Sequence, residues 1–162
     1  KKQIEEDKFF SSTKLENLLE EIINSFKETS SKEIILVSDN DKNKIDIQRS
    51  AEMIYGLRNF VGNAIKFSKS KVNIFLMSDD KEIKIIVNDD GPGFPKDIID
   101  KLGEPYIKSR SFELNSNSGL GLGTFLGKTL LERQNAKLLF KEDKNLGGAS
   151  VVISWSPKNI LL

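Results

Sequence analysis

Three short stretches of this 162-residue chain hold residue types and spacings able to do chemistry. Between residues 51 and 67, Glu52, Gly56, Asn59, Asn63 and Lys66 recur three and four positions apart, which on a helix places them on one stripe. An amide oxygen is a hard, neutral metal ligand and a lysine is a point charge for phosphoryl oxygens, so this stripe suits metal-bound phosphates. It equally suits a solvated helix face. The second stretch, Asp89-Asp90-Gly91-Pro92-Gly93, follows an apolar run. Glycines there let backbone approach a flat ligand, and a buried Asp89 would accept from an exocyclic amine. Alone, it also reads as an ordinary Asp-Gly turn. The third, Gly119-Leu120-Gly121-Leu122-Gly123-Thr124, enters a helix whose free amides and positive end form an anion site. It does not follow a strand, so a dinucleotide-binding fingerprint fails its context test.

The surrounding pattern supplies elements that would position these groups. Phe9 to Ser12 suits a short strand, with Thr13 or Ser12 capping a helix that carries Leu15, Leu18, Leu19, Ile22, Ile23 and Phe26. Ile34 to Val37 and Ile45 to Gln48 read as strands of a hairpin around a polar turn. Ser50 caps the central helix, which runs to about Phe67, with Ile54, Leu57, Val61, Ala64, Ile65 and Phe67 facing the core. Lys71 to Met77 and Glu82 to Asn88 form a second hairpin. Pro95 starts a short helix ending near Leu102, and 103–118 reads as a long lid-like loop. A helix from about Leu122 to Gln134 and strands Lys137 to Lys141 and Ala149 to Trp155 complete an α+β order, without strict βαβ alternation.

Composition narrows the chemistry. The chain has no cysteine and no histidine, which excludes disulfides and thiolate sites and argues against zinc or iron, leaving magnesium as the natural metal. A net charge of +1 favours neither nucleic acid nor an anionic membrane as partner. No apolar run approaches a membrane span and no signal peptide is visible. Residue 1 is lysine, so the chain is expected to begin inside a longer, cytoplasmic protein, with 1–8 a linker or the end of a preceding dimerisation helix and 9–162 one domain.

Taken in order, these motifs resemble the catalytic ATP-binding domain of sensor histidine kinases, within the superfamily that includes gyrase-type and heat-shock-chaperone ATPases. Met53 through Phe67 looks like the asparagine box, Asp89 to Gly93 and Gly119 to Gly123 like two glycine boxes, and Gly147 to Val152 like a final glycine box. Gly103-Glu104-Pro105-Tyr106 and the run from Gly119 to Arg133 are most similar to redox-responding RegB/PrrB-type kinases. The resemblance implies a two-layer Bergerat-type sandwich of a mixed, mostly antiparallel sheet on three main helices, with an ATP lid. It implies that Asn63 holds magnesium, that Asn59 and Lys66 contact phosphates and act in catalysis, and that Asp89 binds the adenine amine with Gly91, Gly93 and Ser150 near the base. Tyr106, Lys108 and Arg110 would belong to the lid, and Gly119, Leu120, Gly121, Leu122 and Gly123 would wrap the phosphates.

Two departures accompany the likeness: Tyr106 stands where many such kinases have phenylalanine, and Ala149 replaces a glycine. The implied partners are a histidine-bearing dimerisation domain of the same protein and a response regulator. The isolated chain is expected to be a monomer and the full-length protein a homodimer. The alternatives are a self-contained ATPase, a nucleotide-binding regulatory module without phosphotransfer, and a serine kinase of the same fold. Against the first, Asn59 occupies the position where those relatives would place a general-base glutamate.

Overall fold

Alternation along the central strands decides which way the functional residues face. The computed structural model describes residues 12–39, 45–96, 99 and 122–160. In it, β4 (Lys71–Ser78) and β5 (Ile83–Asp89) form the expected antiparallel hairpin, with Val72 opposite Asp89. Ile83, Ile85 and Val87 of β5 are buried on one face, and Asp89, two residues on, is in phase with them. The strand therefore delivers a carboxylate to the edge of an apolar core.

Three more strands extend this hairpin. β7 (Ala149–Trp155) lies antiparallel to β5, β6 (Lys137–Glu142) antiparallel to β7, and β2 (Glu33–Ser38) parallel to β4. The order is β2-β4-β5-β7-β6. β3 (Asp46–Gln48) does not form a hairpin with β2, contrary to the sequence expectation. It pairs antiparallel with β1 (Ser12–Lys14) in a separate two-stranded sheet. β2 instead finds its partner beyond a helical crossover, the connection that parallel strands require.

Helix α1 (Leu15–Lys27) buries Leu15, Leu18, Leu19, Ile22 and Ile23 of the stripe its periodicity predicts, and leaves Phe26 only partly buried against the core. Neither Thr13 nor Ser12 caps it. Thr13 is held in β1 opposite Ile47, and Lys14 is the N-cap with no side-chain bond. The Leu15 amide is satisfied by Ile45 O at 2.9 Å, so the neighbouring strand segment does the work of a cap.

Helix α2 (Ala51–Phe67) starts as expected, with Met53 N donating to Ser50 Oγ at 3.1 Å. Its buried face is Met53, Gly56, Leu57, Phe60, Val61, Ala64 and Ile65, so Met53 and Phe60 join the core while Ile54 and Phe67 are only partly buried. Helix α3 (Leu122–Arg133) crosses α2 closely: a Cβ on Gly56 would stand 2.6 Å from Leu131 Cγ, and one on Gly127 2.9 Å from Asn59 Cβ. Gly56 thus belongs to helix packing rather than to a ligand-facing stripe. α3 ends where Asn135 turns left-handed at φ 68°, and Trp155 Nε1 bonds Gln134 O at 3.1 Å, tying α3 to the end of β7. The result is one layer of helices on one mixed sheet, beside the small β1–β3 sheet.

Candidate functional site

A cavity of about 260 Å³ opens between α2, the ends of β5 and β7, and the 92–95 turn. Its walls are apolar: Phe60, Ala64 and Phe67 from α2, Val87 from β5, Val151 from β7, and Phe94. The Phe94 ring meets Phe140 edge-on at 5.8 Å, which steadies that wall. Polar groups enter at few points, namely Asp89, Asn63 and Thr124. The volume lies below the roughly 300–1,000 Å³ of sites that enclose a whole drug-sized ligand. It suits a single small ring system rather than a whole large ligand.

Asp89 is 4% exposed. Its Oδ1 accepts from Gly91 N at 2.8 Å and from Ala149 N at 3.2 Å. Both backbone donors use the same oxygen, leaving Oδ2 to accept from a ligand. Burial pushes the carboxyl above its ordinary value, donation from Gly91 and Ala149 pulls it back, and the nearby charges of Asp90 and Asp143 add to the rise.

Backbone packs tightly around this carboxylate. A Cβ on Gly91 would stand 2.2 Å from Phe67 O, and one on Gly148 2.3 Å from Asp89 O and 2.4 Å from its Oδ1. Gly93 lines the cavity with φ +80°, a conformation that glycine adopts at no steric cost.

Asn63 Nδ2 donates to the buried Thr124 Oγ1 at 3.0 Å. With its donor end engaged, the carboxamide has its oxygen to offer a cation or a polar ligand. Thr124 was not singled out by sequence, although a hydroxyl directly after the glycine run is a legible signal.

The other sequence candidates divide. Asn59 Nδ2 donates to Tyr55 O at 3.2 Å, and its Oδ1 lies 3.3 Å from where a Cβ on Gly123 would sit, so Asn59 faces the start of α3. Lys66 is exposed, with its ammonium 5.4 Å from the centre of the Phe67 ring, and does not line the cavity. Ser150 is buried but lies outside the cavity wall, because alternation along β7 gives that face to Ala149 and Val151. Ala149, in the cavity wall, donates its backbone N–H to Asp89. Tyr106, Lys108, Arg110, Gly119, Leu120 and Gly121 lie outside the described residues, as do the expected loop at 103–118 and residues 97, 98 and 100–102 of the short helix after Pro95. Leu122 is the first residue of α3.

A two-layer α+β sandwich with an apolar slot, a buried carboxylate at its end and an asparagine-bearing helix as its wall defines a recognisable class of fold and site. Residues 48–159 match the family described as histidine kinase-, DNA gyrase B- and HSP90-like ATPases, and the chain belongs to that family. It is 40% identical over 105 residues to the sensor histidine kinase RegB of Cereibacter sphaeroides, a match covering 62% of this chain and 23% of that protein. The chain thus spans about a quarter of the length of such curated relatives. The catalytic domain of histidine kinase ThkA has a similar structure, with a TM-score of 0.72 at 19% identity over 90% of this chain and 96% of that one. Full-length ShkA, solved in complex with AMPPNP, aligns with a TM-score of 0.67 at 20% identity over 93% of this chain and 31% of that one. At these identities the two structures establish the fold alone.

Proposed function

We propose that this chain is the catalytic domain of a two-component sensor histidine kinase, binding Mg-ATP and presenting the γ-phosphate to a histidine supplied by another segment. The buried Asp89 at the end of an apolar slot carries this reading. It combines a surface for stacking a base with one acceptor suited to an exocyclic amine. The chain has no histidine, so the phosphoacceptor must come from outside these 162 residues. A histidine-bearing dimerisation domain would provide it, and a response regulator would receive the phosphoryl group. Separated from that domain the chain would be a monomer, within a cytoplasmic portion of a homodimeric kinase.

Magnesium fits the donor set present. Among the described residues no cluster of three or more acidic side chains could hold a metal alone. An ion would take the Asn63 amide oxygen and draw its remaining ligands from phosphates and water, as magnesium commonly does. Bound there, it would screen phosphate charge. The chain's own part is positioning: Asp89 orients the base, Phe60 and Phe67 flank it, and Thr124 fixes the Asn63 carboxamide. Lys66, exposed beside the slot, would reach phosphate only by leaving the Phe67 ring. Tyr106, Lys108, Arg110 and the glycines from Gly119 to Gly123 would close over the phosphates.

Asn59 separates this reading from a self-contained ATPase. A carboxamide cannot take a proton from water at neutral pH. Glu52 on the same helix is about three turns, roughly 16 Å, from Asn63, and it receives a bond from Gln134 Nε2 at 3.4 Å. Calorimetric titration with a non-hydrolysable ATP analogue and magnesium tests the site, with Asn63→Ala and Asp89→Ala as controls. Saturable binding that both substitutions weaken supports the proposal. No binding by folded native protein would refute the assignment of these residues.

A further inference from the structure

We propose that Asp90 and Lys32, neither of which lines the cavity, are positioning residues that clamp the corner between α2 and β4 and so set the register of Asp89 against the helical wall. This rests on the reading of the cavity as an adenine-nucleotide site.

The clamp closes the corner from both sides. Asp90 Oδ1 accepts from Lys69 N at 2.8 Å, Ser70 N at 3.1 Å and Lys71 N at 3.2 Å, while its Oδ2 accepts from Ser70 N at 3.2 Å and Ser70 Oγ at 3.0 Å. Every backbone amide of the 69–71 turn thus ends on one side chain. From the opposite direction, Lys32 Nζ donates to Ile65 O at 2.6 Å, Ser68 O at 2.8 Å and Lys66 O at 3.5 Å, covering the carbonyl end of α2 with a cation. Ser68 Oγ adds a bond to Ile65 O at 2.8 Å.

What is clamped is the base end of the site. Asp90 follows Asp89 directly, so fixing its side chain to the 69–71 turn ties the end of β5 to the last turn of α2. That last turn carries Ala64 and Phe67, two walls of the cavity. The Phe67 carbonyl already abuts Gly91, leaving no room for a Cβ there. Without the clamp, Asp89 and the Phe67 wall would keep the packing of α2 on β5, the β4–β5 ladder and the 3.2 Å bond from Asp90 N to Lys71 O. They would lose the side-chain tie that fixes the 69–71 turn to the end of β5. A loosened corner should loosen recognition of the exocyclic amine before it loosens the apolar slot.

The test compares ADP with inosine diphosphate, which lacks that amine, by calorimetric titration of the 162-residue chain. A charge-assisted hydrogen bond to the amine predicts that native protein prefers ADP by about tenfold or more. Asp90→Ala is expected to narrow that preference at least about threefold. Asp90→Asn keeps an oxygen for the three amides and should restore it. A merely structural role would lower both affinities together and leave their ratio unchanged. Lys32→Met, which leaves Asp90 in place, should narrow the ratio in the same direction and carries the test if Asp90→Ala does not fold. A folded Asp90→Ala or Lys32→Met variant with the native ratio would overturn the proposal. So would an Asp90→Asn variant that loses the ratio as fully as Asp90→Ala. Native protein that binds neither nucleotide would instead refute the underlying site assignment.

Discussion

Asn63 and Thr124 are joined by a 3.0 Å hydrogen bond that couples the C-terminal half of α2 to the first turn of α3. The bond orients the asparagine, and Thr124 is almost fully buried. Thr124→Val keeps the shape and deletes the acceptor. It is expected to reduce stability by about 0.5–1.5 kcal/mol and to weaken nucleotide binding chiefly when magnesium is present. Thr124→Ser should keep both properties. Thermal melts and titrations with and without magnesium would check this. Equal weakening under both conditions would remove Asn63 from the metal role.

Asp89 predicts an unusual pH dependence. Its folded pKa is raised above the ordinary 3.8, first by burial. The native state therefore holds the proton more tightly than the unfolded chain does. Stability from this group is fully present below 3.8 and is lost as pH rises through the raised folded value. Asp89→Asn removes that loss while keeping an oxygen for Gly91 and Ala149. Its stability should fall less than that of the native protein as pH rises from 3.8 upward, although adenine nucleotide binding drops by about tenfold or more. Denaturant midpoints across this range, set beside titrations, would decide it.

Asp90 should bend the curve the other way. Burial raises its pKa, but donation from Ser70, Lys71 and Lys69 outweighs that and brings it down to about 2. A folded value below the unfolded one means stability that is present above 3.8 and lost as pH falls through about 2. Asp90→Asn should flatten this acid limb by removing the stability that the carboxylate contributes above 3.8, so the variant approaches the native protein toward pH 2 and is the less stable of the two above pH 5. Unfolding curves between pH 5 and 2 for the two asparagine variants should change slope in opposite senses.

The parts of this fold that sequence made legible are those set by short-range periodicity. α2 begins at the Ser50 cap and ends at Phe67 because its apolar spacing and cap agree. The β4–β5 hairpin follows from alternation around a polar turn. The pairing of β2 was not legible locally, because Ile34 to Val37 looks the same whether its partner is a neighbouring strand or one beyond a helix. The cap of α1 was missed for a related reason, since the Ile45 carbonyl that replaces it comes from a distant segment. In the site, Asp89 and Asn63 carried recognisable chemistry. Phe60 and Phe94 did not, because an aromatic wall of a slot has the same sequence signature as core. Ser150 follows Ala149 by one residue, which in a strand turns its side chain to the face opposite the cavity lining.

Gly148 offers a steric test of how the base end is built. A Cβ there would stand 2.3 Å from Asp89 O, 2.4 Å from Asp89 Oδ1 and 2.6 Å from Gly91 N. Two of these are backbone atoms in a strand end and a tight turn, so no side-chain rotation relieves the overlap. Gly148→Ala should therefore force β5 and the 147–149 turn apart, at a cost of about 1–3 kcal/mol or more. The displacement also strains the Ala149 N–H bond to Asp89, so nucleotide affinity should fall in the fraction that remains folded. Gly147→Ala makes a useful contrast: nothing lies within 4 Å of its Cβ position, and only its φ of +85° opposes the side chain. It should lose stability through backbone strain alone and, once folded, bind nucleotide like the native protein. Parallel melts and titrations of the two variants would separate crowding at Asp89 from a general weakening of the turn. Equal binding losses in both would show that the approach of Gly148 to Asp89 has no special bearing on the site.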